Sequence, residues 1–201
     1  MTSPDVFIVT LHAGDWLYWS LLLASTAAAL VFAALATTRR LFVWVAAGLL
    51  TLSIVIASLA SGHAPFGVDV LLALLCIALA IVGGGPAVVL TLELAGGENP
   101  AGNHGGILVR APGETTGAIE TGTKREVLRG GATIGILERL AVAASIVAGH
   151  PEAIALIVAL KGVGRFTELD AAEARERFII GSLVSLIWGC ASAAVLVVAL
   201  N

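Results

Sequence analysis

Residues 135–166 read GILERLAVAASIVAGHPEAIALIVALKGVGRF. Two apolar runs meet at a Gly-His-Pro turn, and three charges interrupt them: Glu138 and Arg139 in the first run, Lys161 in the second. Glu138 lies 12 positions before His150 and Lys161 lies 11 after it. At about 1.5 Å of rise per residue, both sit roughly 16–18 Å from the turn. Two antiparallel helices closed by that turn bring the two side chains to one depth, where an ion pair offsets the cost of charge in an apolar medium. Adjacent helical residues point about 100° apart, so Arg139 needs a partner outside the hairpin. Glu93 is the first candidate, with Glu168 and Asp170 next.

The rest of the chain says what the apolar medium is. Of 201 residues, 58% are hydrophobic and 12% charged, and the mean hydropathy is +1.00. Soluble domains carry about 25% charged residues. A water-soluble fold of this length cannot hide so much aliphatic surface, so the sequence predicts an all-α, polytopic membrane protein. A bilayer core takes about 20 apolar residues per helical crossing. Residues 16–38, 41–61, 130–149 and 178–200 meet that length. Residues 66–95 are apolar throughout but contain Gly83-Gly84-Gly85-Pro86, which predicts a kink, or a break and restart along the membrane surface. Residues 152–166 are short for a span, with Pro151 placed to start them. The count is six spans, with five and a re-entrant piece as the alternative.

Lys and Arg set the orientation, because they are retained on the cytoplasmic side. With six spans, Arg39, Arg40, Arg110, Lys124, Arg125, Arg129, Arg165, Arg175 and Arg177 all fall on one face. The opposite connections, SGHAPFG and AGHPE, carry none. Both chain ends are then outside, and the expected location is the inner membrane of a bacterial cell, multi-pass. The N-terminus lacks the basic start of a signal peptide, so the first apolar helix is expected to serve as its own insertion signal.

Three regions follow: a three-helix membrane region over 1–95, a cytoplasmic Gly-rich loop over 96–129, and a three-helix membrane module with the charged hairpin over 130–201. The loop has eight glycines in 34 residues, and its GILVRAP and GAIETGTKREVL stretches suggest a short hairpin. Gly117 to Lys124 nearly spells a phosphate-binding loop, but the Gly-Lys-Ser/Thr order is absent and no buried strand and helix flank it. It reads as a solvated connection. The net charge of −3 points to no charged partner and to no nucleic acid. Cys76 and Cys190 fall inside apolar runs and read as small buried hydrophobes. Trp16, Tyr18, Trp19 and Trp44 read as anchors at the membrane interface, while Trp188 lies mid-span. Abundant small residues favour close helix contact and self-association into a homo-oligomer or larger membrane complex.

No GxSxG, HExxH or paired CxxC signature is present. The candidate polar centre is Glu138, Arg139, Lys161, Arg165 and Glu93. These charges either lock helices together, with Arg139 and Lys161 snorkelling, or line a polar path. The first function expected is therefore transport or channel-like, or the membrane subunit of a transport system. A non-catalytic scaffold is the alternative. A membrane enzyme on lipid-linked substrate is the third, with Arg110, Lys124, Arg125, Arg129 and Arg165 holding phosphate. At the outer ends of spans stand His12, Asp15, His63, Asp69, His150 and Glu152. Imidazole and carboxylate together suit a divalent metal such as zinc, but no His pair has helical ligand spacing, and no other cofactor is expected.

The stretch from Arg129 to Ser185 also resembles the C-terminal part of a bacterial integral-membrane family known as a domain of unknown function. An IGxLER element falls on Ile134, Gly135, Leu137, Glu138 and Arg139. An AxKxxxRFxEL element falls on Ala159, Lys161, Arg165, Phe166, Glu168 and Leu169, and an IGxLxS helix start on Ile180, Gly181, Leu183 and Ser185. The resemblance covers about a quarter to a third of the chain. It implies that Glu138, Arg139, Lys161 and Arg165 belong to a recurring module, and it implies no reaction.

Overall fold

The computed structural model describes residues 4–59, 64–95, 107–110, 124–127, 131–165 and 172–201. Six helices run in the order α1 (Pro4–Leu35), α2 (Leu41–Ala57), α3 (Val68–Leu94), α4 (Gly131–Val147), α5 (Ala153–Arg165) and α6 (Ala172–Leu200). Between α3 and α4, β1 (Ile107–Arg110) pairs antiparallel with β2 (Lys124–Val127), Ile107 opposite Val127. That hairpin joins the GILVR and KREV stretches.

Three helical stretches are long and apolar enough to cross a membrane: Gly14–Leu35, Val68–Leu94 and Ala174–Leu200. Helices α2 and α4 have 17 residues each, the lower end of the range for a crossing. Helix α5 has 13 residues, about 20 Å, short of a hydrocarbon core about 30 Å thick. Leu17, Val55, Leu74, Leu183 and Ile187 stand exposed on the outside of the bundle, which suits lipid rather than water.

Helix α3 excludes one of the two alternatives expected for it. Gly83-Gly84-Gly85-Pro86 neither ends the helix nor sends it along the surface; Val68–Leu94 is continuous with Pro86 inside it. Proline leaves the carbonyl of Val82 without its helical donor, and neighbouring helices accommodate such breaks inside a membrane. The glycines serve close approach. A Cβ on Gly83 would lie 2.3 Å from the Trp188 ring, and one on Gly84 2.3 Å from Cδ of Arg139. Two side chains from other helices thus lie on the bare backbone of α3.

Side-chain contacts fix helix directions. Tyr18 donates to the Ala57 carbonyl and Ser53 to Ser25, so α1 and α2 are antiparallel. Trp188 meets Gly83 while Gly181 meets Val88, so α3 and α6 are antiparallel. Arg139 meets Ser185 and Val142 meets Gly189, so α4 runs parallel to α6. Arg40 pairs with Glu93 at 2.9 Å, bringing the α1–α2 turn to the C-terminal end of α3. Arg39, Arg40, Arg175 and Arg177 therefore gather at one end of the bundle.

The buried centre is built on Trp19, Leu22, Leu72, Cys76, Leu79, Trp188 and Val195. Trp19 departs from its expected place at the interface: it is 1% exposed and meets Tyr18 edge to face at 5.0 Å. Trp16 and Trp44 do face outward. Cys76 is buried, Cys190 is half-buried, and both are free thiols.

The α4–α5 turn is set by Gly149, whose φ is +78°. The His150 amide donates to Ser145 and the Gly149 amide to Ile146, the paired bonds of a Schellman ending. A side chain at this φ costs about 1–2 kcal/mol. Gly149→Ala is accordingly expected to lower the thermal midpoint of detergent-solubilised protein by a few degrees and to loosen the hairpin, read as faster amide exchange in α5.

Candidate functional site

The hairpin places Glu138 and Lys161 at one level, and Lys161 Nζ donates to Glu138 Oε2 in a direct ion pair. Their side chains are 13% and 17% exposed. Lys161 also faces the Phe178 ring of α6, 5.7 Å from its centroid, a second contact that suits a partly desolvated cation. Helix α5 otherwise packs chiefly on α4, with Leu156, Leu160 and Val163 turned outward. Among the described residues, the ion pair and the cation–π contact tie α5 in place.

Arg139 lies on another face of α4 and is 7% exposed. Its side chain crosses Gly84. Nε donates to the Ile81 carbonyl at 3.1 Å, and one terminal nitrogen donates to Ser185 Oγ at 3.2 Å. Ile81 is the midpoint of α3 and Ser185 lies near that of α6, so the guanidinium sits midway along both. Both acceptors are neutral. Among the described residues no carboxylate forms an ion pair with Arg139.

The expected partner Glu93 is engaged elsewhere: its Oε1 pairs with Arg40, and its Oε2 is buried with no partner. The reason is depth. Glu93 lies at the end of α3, nine residues past Arg139's contact at Gly84, about 14 Å along the axis. Glu168 and Asp170, the next candidates, lie outside the described residues, as does the Arg165 side chain.

Two contributors escaped the sequence reading. Ser185 accepts from Arg139, and Trp188, one turn further along α6, donates Nε1 to the Leu79 carbonyl at 3.0 Å. The available signal was spacing: Ser182, Ser185 and Trp188 recur every three residues and share one helix face. The Ser182 hydroxyl, one turn from Ser185, is buried and unpartnered. Ser20, Ser25, Ser58, Ser145 and Ser192 each donate back to a carbonyl of their own helix.

At the opposite end, His150 Nδ1 and Glu152 Oε1 stand 3.1 Å apart, both exposed. Among the described residues no three His, Cys, Asp or Glu side chains gather in a way that could hold a metal ion. The side chains of His12 and His63 lie outside them; Asp15 and Asp69 stand near the starts of α1's apolar stretch and of α3. No protein-family model, no curated protein and no solved structure matches the chain.

Proposed function

We propose that this is a six-span protein of the bacterial inner membrane, with both ends outside, that acts as a small transporter or channel-like unit or as the membrane subunit of a transport system. The polar centre at Glu138, Arg139 and Lys161 is its contact for the ion or substrate. One observation carries the reading: a guanidinium lies mid-bundle against two neutral acceptors. Lys161, by contrast, is matched by a carboxylate, Glu138. Even then, an apolar pair of similar volume commonly serves stability as well. Charges at this depth are costly and mark ion or substrate paths.

The test is reconstitution into lipid vesicles, with ion and pH gradients imposed across them. Arg139→Gln is expected to reduce protein-dependent flux by at least about tenfold, the scale of one lost charge-assisted contact, while eluting as a folded species. Vesicles no leakier than protein-free lipid under every gradient would remove the transport reading.

The closed Glu138–Lys161 pair favours a second reading, a non-catalytic assembly subunit in which the hairpin is structural. The neutral double variant Glu138→Gln/Lys161→Met separates the two. If the hairpin contributes only assembly, the variant disrupts the isolated complex; if the pair takes part in transport, the complex persists and flux changes.

A further inference from the structure

We propose that the site around Arg139 binds a small monovalent anion, reached along the α3–α6 seam from the end of the bundle where α6 begins. This deepens the transport reading, and its flux arm rests on that reading; its binding arm does not.

The sign follows from charge arithmetic. Glu138, the carboxylate next to Arg139 in the chain, is bonded to Lys161, so the three ionised groups leave one positive charge. It resides on a side chain 7% exposed, whose bonds run to the Ile81 carbonyl and the Ser185 hydroxyl. A guanidinium has five N–H donors, and neutral acceptors stabilise its charge far less than an anion does. One monovalent anion brings the centre to neutrality; a divalent one would overshoot it. A cation there would add like charge in a medium of low dielectric.

The route has its own marks. From Ser185 toward the start of α6, the next residue on the same face is Ser182, whose hydroxyl is buried without a partner. Buried polar atoms are nearly always satisfied by protein or by a bound group, and a hydroxyl supplies a donor for an anion. Gly181 beside it keeps the seam narrow, since a Cβ there would lie 3.2 Å from Val88.

The experiment compares chloride with gluconate at equal ionic strength, first on purified protein in detergent and then in vesicles. Chloride is expected to raise the melting temperature of the wild type. In Arg139→Gln the apparent affinity should fall at least about tenfold, in Ser182→Ala it should fall less, and in Arg139→Lys a weakened shift should remain. No chloride-specific shift in the wild type, or one unchanged in both Arg139→Gln and Ser182→Ala, overturns the proposal. Should Arg139→Gln fail to fold, Ser182→Ala and Arg139→Lys carry the comparison. Chloride binding without chloride current removes the transport reading and leaves the anion site standing. Cation current without chloride stabilisation does the reverse.

Discussion

Lys161→Glu is expected to abolish most of the folded protein recovered from membranes, and Glu138→Lys combined with it to restore a large share. The single change puts two carboxylates where one pair stood, both more than four-fifths buried. Leaving a buried charge without its partner costs about 3–5 kcal/mol, and like charges at that distance add to it. Domains are commonly stable by only about 5–15 kcal/mol, so the loss is visible without a sensitive assay. The exchanged pair keeps the attraction but moves the cation off α5, forfeiting its contact with Phe178; recovery is therefore partial. Size-exclusion profiles of solubilised protein before and after heating read all three states. Equal behaviour of single and exchanged variants would mean that the pair contributes nothing to the fold.

Gly83→Val should produce the second large loss. A Cβ there already meets three atoms of the Trp188 ring at 2.3–2.5 Å, and the ring is rigid and held by its bond to Leu79. Either α6 retreats from α3 or the indole leaves its place. Overpacking of this kind costs about 1–3 kcal/mol or more, and the lost bond adds about 1 kcal/mol. Removing the obstacle gives the check. Trp188→Ala alone destabilises by leaving a void, yet in the Gly83→Val background it should relieve the clash. The double variant is then more stable than the sum of the two singles. Strict additivity in that cycle would place the valine somewhere other than against the indole.

What the chain disclosed in advance follows a physical division. Glu138 and Lys161 could be matched by counting from Gly149, because helical rise is constant and the opposite charges must meet. The membrane character of α1, α3 and α6 rested on composition, which burial cannot disguise. Arg139 resisted because a buried cation points first to carboxylates, whereas it donates to the Ile81 carbonyl, and every residue carries one of those. The run Gly83–Pro86 was read through its effect on its own helix. Its structural use lies in what the missing side chains let others do. Trp19 and Trp16 are alike in composition and three residues apart, but the rotation of α1 buries one and exposes the other. That rotation is a tertiary fact.

The bare face of α3 also has a bearing on how the chain is made. Helix α4 carries Glu138 and Arg139 within only 17 residues, and each charge at the centre of a helix opposes its insertion into a bilayer by roughly 2.5–3.5 kcal/mol. By then α3 is already synthesised, with its glycine notch open and the Ile81 carbonyl within it. Arg139 can dock there as soon as α4 is made, before Ser185 exists. Glu138 waits only for Lys161, 23 residues later. The order of the chain thus supplies Arg139 with its shelter beforehand and Glu138 with its partner soon after, and a shuffled helix order would lose that timing.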